Sequence, residues 1–323
     1  MAILTPLPLA DAQDLGREYG LDIALVEPLS AGSVNSNFRL ETADRKHFFA
    51  RLYEEQAAEG AARELGLLGA LSAAGVPVSG PLLRNDGSAL SGHGGKPFAI
   101  FAWLEGDIVC QRQVTPEHCQ AVGRALAEVH LSGFDSRRLG PGRFNPSDML
   151  VRLEHVENEA ARSDLLPDVQ RVRELFRRYV PQRDAELPHG IVHGDLFRDN
   201  VLWQSGKLVG LLDFESVFHG PLAYDIAVTI EAWCYADAFQ PALVSALAQG
   251  YASLRRCEKR ELDALAVEAA LGCLRFATTR ITDFSLRAAP GTPPARDFRR
   301  FLARLEAIEA GALEPALKAL SSS

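Results

Sequence analysis

The segment from His193 to Asn200 carries residue types and spacings that suit phosphoryl transfer. It reads His-Gly-Asp-Leu-Phe-Arg-Asp-Asn, and Asp213 follows thirteen residues after Asn200. An H-x-D-L-x-x-x-N loop that is followed by a strand pair and a further aspartate is typical of a site that transfers phosphate. The competing interpretation is an acidic loop next to a buried strand, with no chemistry.

Each residue type in this segment has a defined task in that chemistry. Asp195 is expected to orient an attacking hydroxyl and to accept its proton late in the reaction. Asn200 and Asp213 offer an amide oxygen and a carboxylate, which are the hard oxygen ligands that Mg²⁺ prefers. His193 is expected to brace the loop instead of acting as a base. His189 lies four residues earlier on a predicted strand, a spacing of about 13 Å, so a metal-binding pair with His193 is not expected.

A hairpin is expected to bring Asp213 back beside Asn200. Two short apolar runs, 201–203 and 206–212, flank a Gln-Ser-Gly turn at 204–206. Apolar runs on both sides of such a turn are typical of two paired strands.

Composition and charge limit the classes of protein to which this chain can belong. Its 323 residues can bury a large core and usually form two domains. A net charge of -8 argues against nucleic acid or an anionic membrane surface as a partner. The five cysteines are scattered, which predicts buried free thiols in a reducing compartment, the cytoplasm. No apolar run is long enough for a membrane span, and the N-terminus lacks the pattern of a signal peptide.

The first hundred residues alternate between strand and helix patterns. A loop over 30–37 contains Gly32, Ser33 and Asn35, and its backbone N–H groups are suited to lie along nucleotide phosphates. A plain hairpin turn is an equally good interpretation of this loop. The predicted elements are helices over 9–20 and 57–73, and strands over 23–29, 38–42, 48–53 and 96–106.

Two charged residues in this region suit a nucleotide site. Arg51 on the third predicted strand and Glu64 on the following helix occupy the places where phosphotransferases pair a cation with a glutamate. An ordinary exposed ion pair is the alternative. Arginine here replaces the usual lysine; it keeps the charge and can bind a carboxylate or phosphate through two parallel bonds. The backbone from Ala102 to Leu104 is expected to form the hinge against adenine.

The rest of the chain has mostly helical patterns. Thr115 is a good cap before a helix that begins at Pro116. The other predicted helices cover 149–160, 167–180, 221–236, 241–255, 258–284 and 297–320, with a proline-rich connector at 288–295. The pattern predicts an α+β protein with a small β-rich nucleotide-binding domain over 1–104 and a larger helical catalytic domain over 105–323.

These motifs together resemble the aminoglycoside phosphotransferase/choline kinase-like superfamily, and within it the bacterial homoserine kinases. The resemblance runs over nearly the whole chain and is weakest over 140–185. Two departures, Gly194 and the segment 213–220, favour the wider superfamily. The matching motifs are Gly32-x-x-Asn35-Ser36-Asn37-Phe38, Arg51-Leu-Tyr-Glu54, Gly95-Lys-Pro97 ahead of Trp103-Leu-Glu-Gly106, Asp195–Trp203, Tyr224–Thr229, Ala232-Trp-Cys234, Leu274-Arg-Phe276 and Thr279-Arg280.

The resemblance implies a bilobal, protein-kinase-like fold that binds ATP and Mg²⁺ and holds a small alcohol in the larger lobe. Asp225 would correspond to the aspartate that ties down the catalytic loop; a helix-start role is the alternative. Arg275, Arg280 and Asp283 are candidates for binding the carboxylate and amine of homoserine, with a solvated surface as the alternative. Residues 275 and 280 are five apart, so these two arginines need not share a helix face.

The resemblance and these residues together give three functional hypotheses. The first is phosphorylation of L-homoserine to O-phospho-L-homoserine for threonine biosynthesis. The second is another kinase of the same superfamily, acting on an aminoglycoside, an amino alcohol or a sugar; residues 275–309 hold seven arginines against four acidic residues, which weighs against a polycationic acceptor. The third is a non-catalytic nucleotide-binding protein, which the joint presence of Asp195, Asn200 and Asp213 disfavours.

Overall fold

The chain divides into two compact units. A computed structural model describes residues 5–29, 34–288 and 296–321. The first unit spans Met1–Asp107 together with Leu202–Ser205 and Val209–Glu215, and the second holds the remaining residues. The two short stretches therefore group with the first unit, whereas the sequence pattern places all of 105–323 in one domain.

A five-stranded antiparallel sheet forms the centre of the first unit. Its strands are β1 (Ile23–Leu29), β2 (Ser36–Thr42), β3 (His47–Leu52), β4 (Ser91–His93) and β5 (Lys96–Ala102), in the order β1-β2-β3-β5-β4. Helix α1 (Leu9–Glu18) precedes the sheet and α2 (Ala58–Ala73) follows β3.

The core of this unit follows from strand alternation. Phe38 and Leu40 on β2 are buried, as are Ala50 and Leu52 on β3, because alternate residues of a strand point to the same face. Leu15 of α1 packs into the same cluster.

The second unit is mostly helical. Its helices are α3 (Pro116–His130), α4 (Pro146–Asn158), α5 (Leu166–Tyr179), α6 (Leu222–Trp233), α7 (Pro241–Ala252), α8 (Lys259–Arg280), α9 (Arg299–Glu309) and α10 (Glu314–Ser321). Strands β6 (His189–Val192) and β9 (Phe218–Pro221) pair antiparallel in this unit. Strands β7 (Val201–Gln204) and β8 (Lys207–Leu211) form a short hairpin, most of which groups with the first unit. The expected α+β class, with a β-rich N-terminal part and a helical C-terminal part, is confirmed.

Two glycines let α3 and α7 pack closely. A Cβ atom on Gly123 would lie 2.0 Å from the carbonyl oxygen of Leu247, and one on Gly250 would lie 2.0 Å from that of Gln120. Any larger residue at either position would push the two backbones apart.

The local signals placed most elements correctly, but strand β4 is one of several features that they missed. Thr115 caps α3 as predicted, accepting a hydrogen bond from the backbone N–H of His118 at 3.4 Å. The single helix predicted over 297–320 is wrong: it is interrupted at Gly311, whose φ of +92° favours glycine, so α9 and α10 are separate. Strand β9 was not predicted, and α8 ends at Arg280 before a π-helical turn, Ile281–Ser285.

Two further observations bear on the expectations from composition. Cys110 is exposed, the other four cysteines are buried, and all five are free thiols. Within the described ranges, no helix combines the length and the apolar character needed to cross a membrane.

Candidate active site

The predicted catalytic carboxylate lies on a loop between β6 and β7, in the second unit. The Asp195 side chain is 29 % exposed, and its Oδ1 lies 3.2 Å from Nη1 of Arg275. The same Nη1 donates a hydrogen bond to the carbonyl oxygen of Gly194 at 3.1 Å. Asn200 ends the short 3₁₀ turn that closes the loop, and its Nδ2 donates to the carbonyl oxygen of Asp195 at 2.8 Å. A partly exposed carboxylate is thereby held in a fixed position.

A buried aspartate on α6 holds the backbone of this loop. Asp225 accepts hydrogen bonds from the backbone N–H groups of His193 at 2.7 Å and Gly194 at 2.8 Å. Nε2 of His130 lies 3.1 Å from the same carboxylate, and its Nδ1 lies 2.8 Å from the hydroxyl of Tyr251. Burial alone would raise the pKa of Asp225, but the bonds from His130 and the loop keep that pKa below its usual value. The side chain of His193 is fully buried.

Two contacts to the end of α6 hold the loop further. The indole N–H of Trp233 donates to the carbonyl oxygen of Leu196 at 2.9 Å, and the guanidinium of Arg198 donates to the carbonyl oxygen of Ala232. The sequence motifs 195–203 and 232–234 are therefore in direct contact, although about thirty residues separate them.

A charged network surrounds Arg51 in the first unit. Its Nη1 lies 3.0 Å from Oε1 of Glu64 and 3.3 Å from Oε1 of Glu215, and its Nε donates to Oδ1 of Asn37 at 3.3 Å. Burial disfavours the charge of Arg51, but Glu64 and Glu215 outweigh it and raise the pKa of the guanidinium. Arg51 thus pairs with Glu64, whose carboxylate is buried, and the Arg51 side chain is 13 % exposed.

Glu215 is a member of this network that sequence reasoning missed. Its carboxylate also accepts a hydrogen bond from Nδ2 of Asn35 at 2.5 Å, while Oδ1 of Asn35 accepts from the backbone N–H of Glu54 at 3.1 Å. The only signal was its place in the segment 213–220, which departs from the homoserine-kinase pattern.

Asp213 has an unusual backbone. Its φ of +60° lies in the left-handed region, which is uncommon for residues other than glycine. Its Oδ1 accepts a hydrogen bond from the backbone N–H of Glu215 at 3.4 Å. Conformations of this kind persist where the surrounding structure imposes them, and they concentrate at functional sites.

An open pocket lies beside the catalytic loop in the second unit. Gly194 and Arg275, both next to Asp195, form part of its wall. The other lining residues are Gly142, Phe144, Asn145, Pro146, Phe176, Arg183, Ser216, Phe218, Tyr224 and Leu271. Most of the residues missed by sequence reasoning lie in 140–185, where the family resemblance is weakest.

The two arginines in this wall have different surroundings. The Arg275 guanidinium lies 4.4 Å from the ring centre of Phe144 and 3.9 Å from that of Phe276, and its side chain is 7 % exposed. Arg183 forms a bidentate pair with the fully buried carboxylate of Glu268, with bonds of 2.8 Å from Nε and 2.7 Å from Nη2. Its side chain is 27 % exposed.

The other two predicted substrate residues are not part of this wall. Arg280 donates from Nη1 to the carbonyl oxygen of Asp297 at 3.0 Å, and its guanidinium stacks on Phe301. Burial and the neighbouring arginines lower the pKa of Arg280 to about 10. Asp283 lies 3.5 Å from Arg152. Their role in substrate binding stays a prediction.

The other residues that were predicted to bind the nucleotide belong to the first unit. Gly32 and Ser33 lie outside the described residues. Ala102 is the exposed last residue of β5, and its carbonyl oxygen accepts a hydrogen bond from the Ser79 hydroxyl at 2.6 Å; Leu104 is half-buried. In the part of the chain that the structure describes, no group of three or more His, Cys, Asp or Glu side chains could hold a metal ion.

Comparison with known proteins shows a family and individual relatives to which this chain is similar in sequence. Residues 25–263 match the model of a family described as "Phosphotransferase enzyme family". A homoserine kinase of Afipia carboxidovorans is 34 % identical over 299 residues, covering 90 % of this chain and 89 % of the relative. A homoserine kinase of Parvibaculum lavamentivorans is 30 % identical over 322 residues and covers 98 % of both chains.

Solved structures show the same fold at lower identity. Spectinomycin phosphotransferase, in complex with ADP and spectinomycin, has a TM-score of 0.73 at 14 % identity, with 97 % of this chain and 100 % of that chain covered. Amicoumacin kinase has a TM-score of 0.68 at 17 % identity, with 94 % and 93 % covered. The protein-kinase-like fold expected from the sequence is confirmed.

Proposed function

This chain belongs to the phosphotransferase enzyme family, and we propose that it is an ATP-dependent kinase that phosphorylates the hydroxyl group of L-homoserine. The observation that carries the proposal is the fixed carboxylate of Asp195 at the edge of a pocket with two arginines in its wall. The relatives named homoserine kinase, at 30 % and 34 % identity over most of the chain, support this acceptor. The product would be O-phospho-L-homoserine, an intermediate of threonine biosynthesis.

Asp195 acts as the catalytic carboxylate in this proposal. It orients the hydroxyl of homoserine and accepts its proton as the oxygen attacks the γ-phosphorus of ATP, and ADP leaves. His193 and Asp225 support the loop. Asp225 accepts hydrogen bonds from two consecutive backbone N–H groups, those of His193 and Gly194, which fixes the backbone immediately before Asp195.

Mg²⁺ is the metal that we propose, with Asn200 and Asp213 as its protein ligands. Their oxygens suit this cation, which usually takes one or two carboxylates and completes its shell with water and substrate phosphates. The hydrogen bond from Nδ2 of Asn200 to the loop backbone directs the amide so that its Oδ1 is the atom available to a metal. When bound, Mg²⁺ supplies charge neutralisation on the phosphates.

The nucleotide is assigned to the first unit. Arg51, oriented by Glu64 and Glu215, is proposed to bind the phosphates of ATP. The turn that contains Gly32, Ser33 and Asn35 is proposed to cover these phosphates. The backbone from Ala102 to Leu104 is proposed as the contact for adenine.

The acceptor is assigned to the second unit. Arg275, Arg280 and Asp283 remain the proposed substrate-binding residues, and of these three Arg275 lines the pocket. Two guanidinium groups in one wall favour an acceptor with a carboxylate over a polycation such as an aminoglycoside.

Identification of the product tests this proposal. We would incubate the protein with ATP, MgCl₂ and L-homoserine and follow the reaction by ³¹P NMR. The expected result is a phosphomonoester signal that matches O-phospho-L-homoserine, with release of ADP. Asp195→Asn, prepared in parallel, should give this signal far more slowly. ATP hydrolysis without transfer to homoserine would reject the acceptor, and no magnesium-dependent reaction of ATP would reject the kinase.

A further inference from the structure

Arg183 differs from the other arginine of the pocket in what its guanidinium can still bind. An arginine has five N–H donors, in two forks that each match a carboxylate. Glu268 occupies the fork formed by Nε and Nη2. The second fork, formed by Nη1 and Nη2, has no partner on Nη1 among the described residues. Since Arg183 lines the pocket and is 27 % exposed, this second fork is accessible to a ligand.

Glu268 fixes Arg183 in place. Its carboxylate is fully buried on α8, 85 residues further along the chain, and it accepts two short parallel bonds. Burial raises the pKa of Glu268 and Arg183 opposes this rise; separating the two would leave the carboxylate buried without its cation, which keeps the pair together. The guanidinium therefore does not need to be ordered when a ligand arrives, which lowers the entropic cost of binding.

Arg275 is less accessible than Arg183, because its side chain is 7 % exposed and its Nε is buried without a hydrogen-bond partner among the described residues. Its Nη1 contacts both the carbonyl oxygen of Gly194 and the carboxylate of Asp195, and two aromatic rings cover its guanidinium. A substrate carboxylate bound to Arg275 would compete with Asp195 for the same cation. Arg275 is thus suited to position the catalytic carboxylate.

We propose that Arg183, held by Glu268, is the specificity-determining residue that binds the carboxylate of the acceptor, while Arg275 positions Asp195. The acceptor class is then an α-amino acid with a hydroxyl at the end of its side chain. Arg183 lies in the segment 140–185, where the sequence resemblance is weakest, and it was not among the predicted substrate residues. This inference rests on the proposed function.

The test compares two acceptors that differ by one carboxylate, L-homoserine and 3-aminopropan-1-ol. For wild type, kcat/KM should be at least about 10²-fold higher for homoserine, because the analogue leaves a cation of the site unpaired. In Arg183→Gln/Glu268→Gln, which removes both charges and leaves no unpaired buried carboxylate, the ratio should fall to about tenfold or less. The kcat/KM of this variant for 3-aminopropan-1-ol should stay within about a few-fold of the wild-type value, because this acceptor has no carboxylate for Arg183 to bind.

Two further variants separate specificity from positioning. Arg183→Lys keeps a charge for Glu268 but lacks the second fork, so its ratio should fall by at least about tenfold with the protein still folded. Arg275→Lys should lower kcat on both acceptors alike and leave the ratio near that of wild type. Arg177→Gln, which removes an exposed arginine of α5, is the matched control and should leave both values unchanged.

The outcomes distinguish the two proposals. The assignment of Arg183 is overturned if both Arg183 variants keep the wild-type ratio of kcat/KM for homoserine to kcat/KM for 3-aminopropan-1-ol. It is also overturned if only Arg275→Lys loses this ratio. Homoserine remains the acceptor in both cases. Failure of wild type to phosphorylate homoserine overturns the proposed function itself, and the assignment of Arg183 with it. Loss of the ratio in both Arg183 variants, with the ratio kept in Arg275→Lys, supports the inference.

Discussion

Asp225→Asn removes the charge that holds the backbone of the catalytic loop, and it should lower both stability and turnover. The fully buried carboxylate accepts two backbone N–H groups, from His193 at 2.7 Å and Gly194 at 2.8 Å, and contacts His130 at 3.1 Å. An amide retains one accepting oxygen but turns an NH₂ group toward one of these donors. One or two hydrogen bonds to a charged group are therefore lost, worth about 1.5–3 kcal/mol each.

The loss of these hydrogen bonds should lower both the stability and the turnover of the variant. The free energy of unfolding should fall by about 2–5 kcal/mol, and the Tm by on the order of 5–15 °C. Because the loop loses its support, kcat should fall by at least about tenfold, since small displacements of a catalytic group are costly. Thermal unfolding followed by circular dichroism and an ADP-release assay measure the two effects. Asp237→Asn, an exposed change in the loop after α6, is the matched control and should behave as wild type.

The pH dependence adds a second check on Asp225. Its pKa in the folded protein lies below its usual value, so its contribution to stability is complete above the unfolded pKa and is lost as the pH falls through the folded pKa. The difference in stability between wild type and Asp225→Asn should be constant from pH 6 to 8 and shrink below about pH 4. A variant that melts within one degree of wild type and keeps its kcat would refute this account of the loop.

Five further substitutions, at four residues, test the remaining roles. Asp195→Asn should leave a folded, ATP-binding protein whose turnover falls by roughly 10²–10⁴, the usual effect of a positioned base, and near-normal turnover would show that Asp195 is not the base. Asp213→Ala should abolish magnesium-dependent turnover and Asn200→Ala should reduce it less; unchanged magnesium dependence in Asp213→Ala would remove the metal assignment. Arg51→Ala should raise the KM for ATP and Arg51→Lys should retain much of the activity, which a titration of initial rates against ATP decides.

Local patterns were enough to predict the elements that carry the chemistry. The order of residues from His193 to Asn200 lies within one loop, so its spacing could be read directly. The hairpin between β7 and β8 was predictable because apolar runs flank a Gln-Ser-Gly turn; in the structure, Ser205 and Gly206 of this turn have φ of +50° and +75°.

Contacts between distant segments could not be predicted in this way. Strand β9 has only four residues and exists because it pairs with β6, about thirty residues earlier. Arg183 and Glu268 are 85 residues apart, and neither lies in a motif of its own. Arg275 was identified, but its contact with Asp195, 80 residues away, depends on how α8 packs beside the loop.

One prediction failed although its signal was in the sequence. Gly311 lies within an otherwise helical pattern, where a single glycine is often tolerated. In the structure it has a left-handed conformation that ends α9 and allows α10 to begin. The choice between the two outcomes depends on tertiary packing of the final helix, which periodicity alone does not contain.

The most direct test of the central claim is the ranking of kcat/KM across acceptors under identical ATP and MgCl₂ concentrations. L-Homoserine, choline, spectinomycin and 3-aminopropan-1-ol would be compared in a coupled assay of ADP release. We predict the highest kcat/KM for L-homoserine, with a loss of more than about 10²-fold when its carboxylate is absent, because a cation of the pocket is then left unpaired. A clear preference for any acceptor that is not an amino acid would contradict homoserine as the substrate.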